Sequence, residues 1–314
     1  MTLPTAALPA AATTSAEAGR ITREFRAMAS PCRLVVDGAD PADPRLVAAL
    51  DEAEDEVRRL ERHWSRYRPD SVISRINAAA GNGRTVPLDA ETAGLLAFAD
   101  QLHLASQGRF DISSGVLRRV WDFKAEAPPE AAAVEALLPL VDWPAVRWDE
   151  HGVSLPRPGM ELDLGGLGKE YAADRAATLL MEHGFVHGHV NLGGDLRLLG
   201  PQRDGQPWRL GVAHPRQPGA VIAELALGRG ALATSGDYER AIVQAGRRWC
   251  HILDARTGWP VHTWQSVSVI APACLAAGAL STLAMLLGPQ APGFLQAQGV
   301  SHLLVGQDGQ IIKG

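Results

Sequence analysis

The sequence predicts an α+β fold with mixed or antiparallel sheets flanked by helices, and three features of its 314 residues carry that expectation. An amphipathic segment in the N-terminal third has helical spacing, short apolar runs punctuated by glycine fill the chain from residue 159 onward, and two helix-spaced segments interrupt those runs. Within 46–64, Leu46, Leu50, Ala53, Val57, Leu60 and Trp64 share one helical face while acids and arginines fill the rest, the pattern of a helix packed on a sheet. Asp89 is the candidate N-cap of a second helix in LDAETAGLLAFADQLHLASQG, and Gly108 its candidate stop. The Ala- and Pro-rich stretch 125–158 reads as a connector holding a short helix and a hairpin. MELDL, GHVNLGGDLRLLG, WRLGVAHP, AVIAELALGRGALATSG, RWCHILD and SVSVIAP predict strands. Segments 167–183 and 273–287, closed by Gly184 and Gly288, predict helices.

A hydrophobic content of 46% supports a buried core, and a net charge of -5 excludes the basic field that drives non-specific nucleic-acid binding. Cys32, Cys250 and Cys274 form no C-x-x-C pair, which argues against a disulfide framework or a zinc site and for buried thiols. MTLPTAALPAAATTSAEAGR lacks a basic n-region, a long apolar h-region and a lipid-accepting cysteine, so residues 1–22 are expected to be a disordered lead-in and 23–314 the folded domain. No run approaches the roughly 18 apolar residues of a spanning helix, and a cytoplasmic location is the expectation.

ELDLGGLGKEYAADR, 161–175, places three glycines and a lysine between an apolar run and a helix. It matches neither the P-loop nor the dinucleotide fingerprint. A turn at Gly165 and Gly166 leading into a helix would aim free N–H groups outward, an anion-binding geometry, while close backbone packing explains the same glycines equally simply. In LATSGDYER, Thr234, Ser235 and Gly236 end a strand and suit the lining of a ligand site, but no neighbouring histidine would activate Ser235 as a nucleophile. His251 in HILDARTG has the titration range of a general base, and Asp254 follows three residues on. SQGRFDISSGVLRRVWDF, with Asp111, Trp121 and Phe123, reads either as a loop buried beneath its aromatics or as a platform for a planar ligand. Trp64, Arg66 and Tyr67 belong to the rim of that pocket or to an ordinary turn.

Taken in order, these motifs resemble the ApbE family, the FAD:protein FMN transferases. The resemblance runs from about Phe25 to the C-terminus and rests on AMASPCRLVV, SRYRPDSVISRIN, GRFDISSGVL with VWDF, LDLGGLGKEYAADRA, VNLGGDLRLLG, ALATSGDYER, HILDARTGWPV and GALSTLAMLLG. It implies an ApbE-like domain of two intertwined lobes with an FAD cleft between them. It implies that the FAD pyrophosphate is cleaved beside Mg²⁺, that FMN is attached through its phosphate to a threonine of a target flavoprotein, and that AMP is released. By motif, Met28, Arg109, Phe110, Asp111, Asp163, Lys169 and Ile252 would contact FAD. Gly166 through its carbonyl, with Ser281 and Thr282, would meet the metal. His251 would act as base toward the acceptor threonine, with Asp254 orienting it or the metal. The family's exported members make the periplasm the alternative location.

Two departures stand out. The family's metal motif carries an aspartate where this chain reads Ala277-Gly278-Ala279-Leu280-Ser281-Thr282, so the expected carboxylate is absent. That loss leaves an alternative in which the chain binds or hydrolyses FAD with weak or absent transfer. Ala255 replaces a usual proline, a change expected to loosen a turn.

Overall fold

The computed structural model describes residues 12–17 and 19–314. Its frame is a nine-stranded sheet in which neighbours in space are also neighbours along the chain. The strands are β1 (Thr13–Glu17), β2 (Arg20–Ala27), β3 (Ser30–Asp37), β4 (Gly188–Leu192), β5 (Asp195–Gly200), β6 (Ala231–Gly236), β7 (Trp264–Ala271), β8 (Ser301–Gly306) and β9 (Ile311–Lys313). Every pairing in this sheet is antiparallel. Strand alternation divides its two faces: Leu34 and Val36 join the large core under the helices, whereas Val35 and Leu232 join a smaller cluster with Trp208 and Leu210. That second face is covered by a hairpin of Trp208–Ala213 and Val221–Leu227.

The helices are α1 (Pro44–Trp64), α2 (Val72–Ala78), α3 (Ala90–Ala105), α4 (Ala131–Leu137), α5 (Gly168–Glu182), α6 (Cys274–Leu287) and α7 (Ala291–Ala297). The predicted stripe of α1 is buried along its length, from Leu46 to Trp64. Asp89 caps α3 by accepting from the Thr92 amide at 2.8 Å, and Gly184, with φ of 88°, closes α5. The connector holds α4 and a hairpin of Arg147–Trp148 with Gly152–Ser154.

The innermost helices, α5 and α6, lie against the sheet through small side chains. Ala172, Ala173, Ala176 and Ala177 of α5 and Ala277, Gly278 and Ala279 of α6 are all buried. The residue before α6, Ala273, provides no side-chain cap. Asp174 of α5 does so across the gap, accepting from the Cys274 and Leu275 amides at 2.8 and 2.9 Å. Two of the otherwise unpaired donors at the start of α6 are thus satisfied by the helix beside it.

Several expectations are corrected. Strands occupy 13–17 and 20–27, so the chain is paired well inside the expected disordered lead-in, whose residues 1–11 lie outside the described residues. β2 and β3 escape the apolar pattern because Arg23, Glu24 and Arg33 sit among their apolar residues, with Glu24 and Arg33 paired across the two strands. MELDL forms no strand; Glu161 makes a single bridge to Ser114. Cys274–Ala297 is apolar and long enough to cross a membrane, contrary to the reading that no run approaches that length. It is broken after Leu287 by Gly288, with φ of 56°, and Pro289, and 67% of its most apolar window is buried inside the fold. The three cysteines are free and buried, as expected.

Two substitutions test these local arrangements. Asp174→Ala leaves the start of α6 uncapped and is expected to cost about 1–2 kcal/mol in chemical denaturation. Met28 and Ala29, the turn between β2 and β3, both adopt positive φ, 53° and 57°. Ala29→Gly is expected to raise stability by about 0.5–1 kcal/mol by relieving a left-handed non-glycine residue, read as a melting temperature higher by about 1–3 °C.

Candidate active site

The site residues come from loops at one end of the sheet, from the start of α5 and from the middle of α6. Lys169 lies at its centre. Its Nζ is paired with the Asp195 carboxylate, stands 3.3 Å from the Leu192 carbonyl and lies 3.6 Å from Glu170 Oε1. Asp195 is 4% exposed, and its other oxygen accepts from the Thr234 amide at 3.2 Å. Gly193, with φ of 61°, leaves space that a Cβ would take from Ser30 Oγ at 2.7 Å and Lys169 Cδ at 3.5 Å. The glycine turn between β4 and β5 therefore packs against both Lys169 and the strand leaving the Met28 turn. The Met28 amide donates to Glu61 Oε1 at 2.5 Å, tying that turn to α1.

Gly165 and Gly166 are exposed, and α5 begins after Leu167 without a side-chain cap. Among the described residues, neither the N–H nor the carbonyl of Gly166 takes a hydrogen bond. Phe110 closes over this turn, its Cε2 3.7 Å from the position of a Gly166 Cβ. Asp163 braces the turn from below: one oxygen accepts from the Gly165 amide at 2.8 Å, the other from Arg66 Nη1 at 3.0 Å. Arg66 also holds the Gly115 carbonyl at 2.8 Å and Glu161, so it is a clamp under the loops rather than a solvated turn residue.

Ser235 Oγ on β6 bonds to Ser281 Oγ at 2.8 Å and Thr282 Oγ1 at 3.0 Å on α6. Ser281 Oγ also lies 3.0 Å from the Gly278 carbonyl. Three hydroxyls thus meet at the place assigned to Ser281 and Thr282, with Ser235 as the added member. Among the described residues no three His, Cys, Asp or Glu side chains gather as a metal group. The donors on offer are hydroxyls, carbonyls and single carboxylates, hard oxygens that suit Mg²⁺ completed by phosphate and water.

His251 is held neutral. Burial, reinforced by the positive charges of Arg240, Arg118 and Lys169, lowers its pKa to about 4. Its Nδ1 is buried without a hydrogen-bond partner, and its ring meets Phe123 edge-on at 6.4 Å. The expected pairing with Asp254 is not formed. Asp254 starts a tight turn, accepting from the Arg256 amide at 3.0 Å and from the Arg256 guanidinium at 2.9 Å, with Arg109 Nε 3.8 Å away. Its local turn captures the carboxylate before it can reach back to residue 251. Nor does Ala255 loosen this turn: its N–H, which proline would lack, donates to the Arg109 carbonyl at 3.0 Å. That bond joins the 109–111 loop to the 251–255 loop, and Phe110 and Ile252 then share one apolar cluster.

Asp111 serves the loop itself. It is 7% exposed, accepts from Ser113 Oγ at 2.6 Å and the Trp143 amide at 3.1 Å, and burial raises its pKa. The aromatic platform resolves to packing: Trp121 is 1% exposed, stacked on Phe123 at 5.5 Å and edge-on to Trp259 at 5.3 Å. The residues that sequence reasoning missed are Asp195 and Glu170. Asp195 carried one signal, its position directly after a glycine pair leading into a strand.

The model of the ApbE family matches residues 28–305. An FAD:protein FMN transferase of Klebsiella pneumoniae is 34% identical over 238 residues, covering 74% of this chain and 73% of the relative. One of Treponema pallidum is 33% identical over 278 residues, covering 82% of this chain and 76% of the relative. Among solved structures, the ApbE protein of Thermotoga maritima superposes with a TM-score of 0.84 at 31% identity, over 93% of this chain and 96% of that one. With the fold, the ordered motifs and the family match in agreement, the chain belongs to the ApbE family.

Proposed function

We propose that this chain is an FAD:protein FMN transferase that splits the FAD pyrophosphate and esterifies FMN, through its phosphate, to a threonine of a partner flavoprotein. The observation that carries the reading is a buried, neutral histidine with an unpartnered ring nitrogen, within electrostatic reach of Lys169 at the open N-terminus of α5. The relatives named above support it, since both bear that activity in their names.

In this scheme the threonine oxygen attacks the FMN-side phosphorus, its proton passes to His251, and the bond to the bridging oxygen breaks so that AMP departs with it. The free Gly166 amide, just before the start of α5, faces the phosphate oxygens, where a fixed dipole stabilises charge without reorganising. Lys169, tethered by Asp195, holds its charge at a set position beside them. Phe110 and Ile252 offer an apolar wall, and Arg109, Met28 and Asp163 set the loops that frame the flavin. A divalent cation held by the Gly166 carbonyl and the Ser281 and Thr282 hydroxyls would spread the pyrophosphate charge when bound.

Incubation with FAD, Mg²⁺ and a flavoprotein acceptor that the Klebsiella relative modifies is expected to give an FMN adduct on threonine by mass spectrometry. AMP release without an adduct would replace transfer with hydrolysis, and neither product would remove the reading. His251→Gln is expected to lower the transfer rate by about 10²–10⁴-fold while leaving FAD affinity within about threefold by flavin fluorescence. Because His251 accepts a proton only when neutral, the rate is expected to fall as pH drops through about 4, with no inflection of this residue at the ordinary imidazole value of 6.5. An acid limb centred near 6.5 that disappears in His251→Gln would contradict the neutral, buried assignment.

A further inference from the structure

Gly278 removes a carboxylate from α6, but the space it leaves is filled by another. A Cβ at position 278 would stand 2.5 Å from Glu170 Cγ, 3.2 Å from Glu170 Cδ and 3.3 Å from Glu170 Oε1. The carboxyl group of Glu170, reaching from the first turn of α5, therefore occupies the volume that an aspartate side chain at 278 would enter. Glu170 is 8% exposed, and its Oε2 is buried with no hydrogen-bond partner among the described residues. Oε1 lies 3.6 Å from Lys169 Nζ, which is itself paired with Asp195. A carboxylate oxygen buried without a donor is costly, and a cation is the partner that offsets the cost.

Its position agrees with that role. Glu170 follows Gly166 by four residues, with α5 starting between them, while Gly278 and Thr282 are one turn apart on α6. The Ser281 and Thr282 hydroxyls, three and four residues beyond Gly278 on α6, cluster with Ser235, and Ser281 Oγ bonds to the Gly278 carbonyl. We propose that Glu170 supplies from α5 the carboxylate ligand that position 278 lacks, so that the divalent-cation site is retained with its acidic ligand exchanged between facing helices. The cation's role beside the FAD pyrophosphate rests on the function proposed above, whereas the ligand exchange is a property of the chain itself.

The pair also constrains substitution. Gly278→Asp alone places a new side chain against Glu170 Cγ, so the two residues are exclusive alternatives unless one side chain moves.

Mn²⁺ binding followed by electron paramagnetic resonance, alone and with saturating FAD, tests the exchange on the full chain without reference to turnover. Glu170→Gln keeps the side chain's shape and is expected to weaken Mn²⁺ binding by about tenfold or more. The exchange Glu170→Gly with Gly278→Asp is expected to recover it to within about threefold of the parent. Unchanged affinity in Glu170→Gln, no saturable binding by the parent in either condition, or a loss that the exchange does not recover would each overturn the proposal. Glu170-dependent Mn²⁺ binding in a chain that forms no FMN adduct would leave the ligand assignment standing and remove the transferase reading.

Discussion

The two hydrogen bonds that Asp174 accepts from the start of α6 set how α5 and α6 lie against each other, and the site is built across that junction. Alanine and glycine side chains let the helix backbones approach, but a small-residue contact alone permits sliding. A carboxylate that caps one helix from the body of the other removes that freedom. Glu170 then meets Gly278 across the junction, and β6 brings Ser235 to Ser281 and Thr282 on the same helix. The sheet supplies the rest: because its strands follow one another in chain order, the β2–β3 and β4–β5 turns fall at one end, beside the open start of α5.

The charges around the site are arranged so that few are left to move. Lys169 is matched by Asp195, Arg66 by Asp163 and Glu161, and Arg109 and Arg256 flank Asp254. Among the described residues five buried side-chain atoms lack partners, and two of them, His251 Nδ1 and Glu170 Oε2, belong to residues of the site. Burying an unsatisfied polar atom is unfavourable, and beside a ligand site it leaves a group ready for a partner from outside the chain. One is a neutral imidazole and the other a lone carboxylate, and the proposed scheme divides proton transfer and cation binding between them.

Much of the fold could be read directly. The α1 stripe, the Asp89 cap and the glycine stops of α5 and α6 depend on neighbouring residues, and local sequence reports them faithfully. What could not be read depended on contacts between distant segments. Glu170 looks like an ordinary polar residue in GKEYAAD, and only the packing of α5 on α6 shows that it fills the space above Gly278. Asp254 differed in the opposite way: the family resemblance implied that it orients His251 or the metal, while a local turn with Arg256 had already claimed the carboxylate. β2 and β3 were hidden because their cross-strand charges interrupt the apolar alternation. The ordered motifs identified the site's neighbourhood more reliably than the partner of each side chain.

Among the described residues, the Ser235, Ser281 and Thr282 hydroxyls are bonded only to one another and to a helix carbonyl. A hydroxyl both donates and accepts, so each can turn its hydrogen away and offer a lone pair without moving a heavy atom. The cluster thus acts as a self-closed spare: it stays satisfied with no ligand present, and it becomes a set of oxygen donors through proton rotation alone. Recruiting it requires no loop closure and no backbone shift, so the cost of readying this half of the junction is confined to exchanging one set of hydrogen bonds for another.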